Sequence, residues 1–147
     1  MIKPSAQVSF SEQHHELVQI AASIMQRAKE NTPASIVALT QLRLALSRSL
    51  RKHVTAEVSL VRRAGKTHGD APASDILRKY HDELLAWQGL LIKCNVKWSP
   101  KAISAHPQGF IDEYQPIYRA LKERVRWEEE VFYPYILSVA HLDHRAT

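Results

Sequence analysis

One cysteine in 147 residues rules out an internal disulfide, so the fold must rest on packing. Only four glycines are present, too few for a sheet built from many tight hairpins or for a turn-rich repeat. No hydrophobic run approaches the length of a membrane span. Met1 to Gln13 contains neither the apolar core of a secretion signal nor a transit sequence, which points to the cytoplasm. The excess of basic residues is small, a net +5 from 20 Lys and Arg against 15 Asp and Glu. These residues are scattered, the densest stretch running from Arg48 to Lys66 without the interleaved aromatics that a single-strand binder needs, so nucleic acid is not the expected partner.

What is present is helical periodicity over the length of one domain. Ser9 and Glu12 read as a capping box for a first helix on Leu17, Ala21, Ile24 and Ala28, closing at Asn31. Thr32 and Pro33 open a second helix, whose stripe is Leu39, Leu42, Leu46, Leu50 and Leu60 and whose end is Arg62, Arg63 and Gly65. A polar connection, 65–74, leads to a third helix from Asp75 to Trp98 on Leu77, Leu84, Leu91 and Trp98, stopped by Ser99 and Pro100. After a loop containing His106, Pro107 and Gly109, a fourth helix carries Phe110, Tyr114, Ile117, Leu121, Val125, Phe132 and Tyr135. Pro116 demands either a start near Asp112 or a kink, and Pro134 bends or ends the helix. The expected fold is all-α, a single up-down-up-down antiparallel four-helix bundle over 1–147, with a core of about 9–136 and a polar tail at 137–147.

Ionisable residues interrupt these apolar stripes. His14 precedes Leu17 by three, His53 and Glu57 lie between Leu50 and Leu60, His81 lies between Leu77 and Leu84, and Arg124 and Glu128 share the fourth stripe. Spacings of three and four share a helix face, so each helix aims an ionisable group at the bundle axis. Distances from the helix ends set His14, His53, His81 and Glu128 at one level, where the three histidines should meet. His15 should face out, although with Glu12 it forms a Glu-x-x-His spacing. The hairpins also echo one another: His14-His15-Glu16-Leu17 against His81-Asp82-Glu83-Leu84, and His53 with Glu57 against Arg124 with Glu128. Imidazoles and carboxylates in one layer suit iron, zinc or manganese.

At these residues the chain resembles the hemerythrin-like, or HHE cation-binding, family. The resemblance rests on His14 with Leu17, His53-x3-Glu57, His81, Trp98, and the stretch Arg126-Trp127-Glu128-Glu129-Glu130-Val131-Phe132-Tyr133-Pro134. It implies a non-haem di-iron site that binds dioxygen, senses oxygen, nitric oxide or redox state, or handles iron. Arg124 stands where the family pattern has histidine, and no second ligand stands one turn from His81. The candidate metal ligands are therefore His14, His53, Glu57, His81 and Glu128, holding a single iron or no metal, because Arg124 places a fixed cation beside them. Arg124 is expected to contact Glu57 or Glu128. No nucleophile and base constellation is visible, so a small-ligand carrier or sensor is expected, not an enzyme. The alternative is a metal-free four-helix module, held by an ionic network around Arg124 and binding a protein partner. A histidine phosphotransfer domain is a third reading, but it needs an exposed histidine, and His53 points inward on the stripe. His68, His106, His141 and His144 are expected at the surface, and Cys94 and the tryptophans in packing roles.

Overall fold

The computed structural model describes residues 5–67 and 71–146, and among them every element is helical. The elements are α1 (Ser5–Glu30), α2 (Pro33–Thr67), α3 (Ala71–Lys97), a short α4 (Pro100–Ala105), α5 (Pro107–Trp127), a π-helical turn (Glu128–Phe132) and α6 (Tyr133–Ala146). Helix α1 packs on α2 and α5, α2 also on α6, and α3 on α5.

Local chemistry explains the boundaries. At the α1–α2 junction Asn31 takes a left-handed backbone, φ 47°, while its N–H returns to the Arg27 carbonyl at 3.2 Å. Its side chain bonds the Ser104 carbonyl at 3.1 Å, tying this corner to α4. Thr32 and Ser35 then cap α2 reciprocally: Ser35 N–H donates to Thr32 Oγ1 at 3.0 Å, and Thr32 N–H donates to Ser35 Oγ at 2.8 Å. Pro33 follows at the first helical position, where a missing N–H costs nothing. Ser99 caps α4 through Ala102 N–H in the same manner.

Several expected boundaries are corrected. Helix α1 begins at Ser5, which puts Ser9 inside it, so the Ser9 box does not mark its start. Helix α2 passes Gly65 and ends at Thr67, and α3 starts at Ala71, so the polar connection is shorter than 65–74. The expected loop around His106 is instead two helices meeting at that residue, with Pro107 opening α5. Pro116 is thus well inside α5, on its exposed side. Pro134 does not end the chain's helical course: helix continues to Ala146, with Ile136 and Val139 buried.

The π-helical turn accommodates Pro134. A proline has no N–H, and its ring crowds the carbonyl four residues back. Widening the turn closes it through an i→i+5 bond from Tyr133 N–H to the Glu128 carbonyl, with Pro134 directly after.

The apolar interior forms two clusters. One joins Leu17, Ile24, Leu39, Leu46, Trp87, Leu91 and the α5 residues Phe110 to Leu121. The other joins Phe10, Leu60, Tyr80, Leu84, Phe132, Tyr133, Ile136 and Val139. Fully burying each large side chain contributes about 1.5–3 kcal/mol, so these clusters dominate stability. The tryptophans belong to this packing, with Trp87 Nε1 donating to the Ile117 carbonyl at 3.0 Å, and Cys94 is a free buried thiol. Buried charged residues occur in sequence between the clusters: His14 between Phe10 and Leu17, His53 and Glu57 between Leu46 and Leu60, and Glu128 between Leu121 and Phe132.

Candidate metal centre

His14, His53, Glu57 and Glu128 are all buried, at 1–3% exposure, and each offers one ligand atom within 4.8 Å of every other. His14 Nε2 lies 3.0 Å from His53 Nε2 and 3.0 Å from Glu128 Oε1. His53 Nε2 lies 3.2 Å from Glu57 Oε2 and 3.7 Å from Glu128 Oε1. Ligands about 2.0–2.2 Å from a common ion stand about 3.0–3.4 Å apart at neighbouring vertices, so these separations fit a shared cation.

The far atoms of His53, Glu57 and Glu128 are engaged elsewhere, while that of His14 is buried without a hydrogen-bond partner. His53 Nδ1 is 2.6 Å from Gln13 Oε1, so Nδ1 carries the proton in neutral His53 and Nε2 is left as a lone pair facing inward. Glu57 Oε1 accepts from the Tyr80 hydroxyl at 3.1 Å, and Glu128 Oε2 pairs with Arg124 Nε at 2.7 Å. His14 Nδ1 faces Glu129 Oε1 at 3.5 Å. Outer groups of this kind hold ligands in orientation and raise their basicity. Two imidazoles and two carboxylates are a donor set suited to zinc or to non-haem iron.

Electrostatics in the metal-free site follow from burial and pairing. Burial opposes a charge on His53, yet hydrogen bonds to Glu128 and Glu57, together with their negative charge, outweigh it and push its pKa up to about 9. Burial and the neighbouring Glu128 raise the pKa of Glu57. Burial acts on Glu128 in the same direction, but hydrogen bonds with Glu57, His14 and His53 and the charge of Arg124 hold its carboxyl far below the usual range. Burial and the two carboxylates push the phenols of Tyr80 and Tyr133 up.

Arg124 contacts Glu128, as the sequence led one to expect, and its Nη2 donates to the Tyr80 carbonyl at 3.0 Å. Its Nη1 is buried with no hydrogen-bond partner. A cavity of about 20 Å³ lies among His14, His53, Glu57, Glu128 and Arg124, enough for one water-sized molecule. An outer cleft of about 380 Å³ adjoins Lys79, Glu83, Glu123 and Trp127. Trp87 and Arg124 line both spaces and form the wall between them.

His81 is a correction. Its side chain is 68% exposed and faces Asp82, so it joins neither the other two histidines nor the ligand group. The buried face of α3 runs through Tyr80, Leu84, Trp87 and Leu91, and one residue along a helix turns about 100° away from it. Tyr80 therefore occupies the inward position assigned to His81. His14, not His15, points inward, and His15 and His106 are exposed. His68 and the side chains of His141 and His144 lie outside the described residues.

Sequence reasoning also missed Tyr133. Its hydroxyl lies 2.5 Å from Glu57 Oε2, 2.9 Å from Glu128 Oε1, 2.9 Å from His14 Nε2 and 3.3 Å from His53 Nε2. In a regular α-helix, residue 133 would be rotated about 140° from residue 128. The π-helical turn absorbs a residue and brings both to one side. The signal that could have found it is Pro134, which requires an altered turn just before it.

Among the described residues no helix is long and apolar enough to cross a membrane. In comparisons with known proteins, no family model, no curated protein and no solved structure matches the chain.

Proposed function

We propose that this protein is a hemerythrin-like metal protein that holds one non-haem iron ion through His14, His53, Glu57 and Glu128, in an antiparallel up-down-up-down bundle of α1, α2, α3 and α5–α6. Its function is to bind a small ligand such as dioxygen or nitric oxide, as a carrier or sensor without turnover. One observation carries this reading: four buried ligand atoms face one another while their outer atoms bond Gln13, Tyr80 and Arg124 or face Glu129. The adjoining cavity has room for a small molecule, and the Trp87–Arg124 wall separates it from the outer cleft. Iron supplies the ligand-binding and redox chemistry when present. His14 and His53 supply lone pairs, Glu57 and Glu128 supply negative charge, and Arg124 directs a fixed cation toward whatever enters the cavity. Because of that cation, the second position of a di-iron site stays unfilled, and metal content is at most about one per chain.

The test is elemental analysis of protein purified under iron-replete conditions and of apoprotein reloaded anaerobically with ferrous iron. The expected result is up to one iron per chain, lost in His53→Ala and Glu128→Ala. A parent protein that takes up no metal refutes the reading, and two irons per chain refute the charge argument.

A second reading is a metal-free module for a protein partner. It is favoured by charge balance: protonated His53 and Arg124 offset Glu57 and Glu128 without an ion. A chelated protein that keeps its full stability and never takes up iron would select this reading.

A further inference from the structure

Resting on the metal-centre reading above, we propose that the Tyr133 hydroxyl is a fifth ligand, binding a trivalent cation as phenolate alongside His14, His53, Glu57 and Glu128. A hydroxyl has one hydrogen and two lone pairs and can make at most three hydrogen bonds. Tyr133 has four polar atoms within 3.3 Å, and in their metal-ready forms all four are lone-pair donors. With both imidazoles bare and both carboxylates ionised, one hydrogen cannot satisfy all four contacts, and a cation at their centre can; in the metal-free site the proton on His53 relieves the conflict.

The distances fit this role. Around an ion with ligands near 2.1 Å at right angles, neighbouring ligand atoms stand about 3 Å apart. Tyr133 lies 2.5, 2.9, 2.9 and 3.3 Å from the four other ligand atoms, spacings that would let all five hold one cation. The ring is held independently of the hydroxyl, stacked on Phe10 at 4.8 Å and on His14 at 5.4 Å. The aim of the oxygen is therefore set by apolar packing and by the π-helical turn.

Charge complementarity selects the oxidation state. Arg124 already offsets part of the charge of Glu128, and a phenolate adds one further negative charge, which favours a trivalent ion over a divalent one. Binding of ferric ion breaks the phenolic O–H bond, forms an oxygen–metal bond and releases the phenolic proton to the buffer, in addition to the proton displaced from His53 Nε2. No electron is transferred, and the ferric ion is supplied from outside.

The experiment is titration of apoprotein with ferric nitrilotriacetate, followed by visible absorption, resonance Raman scattering and bound-iron analysis. In the parent, a visible phenolate-to-iron charge-transfer band should grow to one equivalent, with enhanced tyrosinate ring modes. Tyr133→Phe should bind iron and lose the band. Tyr80→Phe, which removes the only other phenol touching these ligands among the described residues, should keep the band at saturating iron. Parent protein that binds ferric ion without a band overturns the Tyr133 assignment alone, as does a band that survives in Tyr133→Phe. A parent that binds no metal overturns the metal centre and this proposal with it. Should Tyr133→Phe fail to fold, the tyrosinate modes decide: present in both parent and Tyr80→Phe they support Tyr133, and absent from the parent they refute it.

Discussion

Raising the pH of the chelated protein should destabilise it, with His53 giving a part that substitution can isolate. His53 titrates near 6.5 when free and at about 9 in the folded, metal-free site, because Glu128 and Glu57 hold its proton. A group whose folded pKa is raised stabilises the fold fully below its unfolded value, and that stabilisation is lost as pH rises through the folded value. The gap from 6.5 to about 9 corresponds to about 3 kcal/mol. Urea unfolding in the presence of a chelator should therefore give about 3 kcal/mol less stability at pH 9.5 than at pH 6, a fall in Tm of roughly 10 °C for a chain of this length. The same proton competes with metal for His53 Nε2, so apparent affinity for zinc should rise nearly tenfold per pH unit within that window. His53→Gln, which cannot titrate, should remove the His53 part of the pH slope. A flat profile in the parent, or an equal slope in His53→Gln, would refute the assignment of the proton to His53.

Two further substitutions separate the roles of the surrounding groups. Arg124→His removes a fixed cation whose repulsion of a dication at about 6 Å is roughly 5 kcal/mol at an effective dielectric of about 20, and it restores the histidine-x3-glutamate pattern of α2 beside Glu128. The variant should retain more iron than the parent under identical anaerobic loading, as measured by elemental analysis, and equal contents would show that Arg124 is not limiting. His81→Ala should leave metal content unchanged and alter stability by less than about 0.5 kcal/mol in urea titration, because the side chain is exposed and pairs with the equally exposed Asp82.

Much of the site was legible because polar residues on an apolar stripe are conspicuous. His14, Glu57 and Glu128 each sit three or four positions from a buried leucine or aromatic, His53 sits three from half-buried Leu50 and seven from buried Leu46 and Leu60, and helix phase alone turns them inward. The same rule failed for His81, because Leu77 and Leu84 lie toward one margin of the α3 face whose centre passes through Tyr80. Both 80 and 81 are compatible with Leu77 and Leu84, and only Trp87 and Leu91 separate them. The helix cap at Thr32 was readable from residue type, whereas Ser99 was read only as the stop of the third helix, and Ser9 was misread because the amphipathic pattern weakens before Phe10 while the helix still extends to Ser5. Tyr133 was not legible, since a fixed 100° step gives it the wrong direction and only an irregular turn corrects it.

That irregular turn makes the centre depend on chain length as well as on chemistry. Deleting one of Glu129, Glu130 or Val131 would keep His14, His53, Glu57, Glu128 and Tyr133 in the sequence. The shortened segment would close as ordinary α-helix up to Pro134, with the proline ring pressed against the carbonyl four residues earlier. Buried Phe132 and Tyr133, now adjacent walls of one compartment, would be shifted along the helix axis by about 1.5 Å relative to Glu128. A comparison by residue type would count such a deletion as one missing surface position. In the folded protein it changes the gauge of the compartment, leaving every one of these residues in the sequence while Glu128 and Tyr133 lose their spacing to each other.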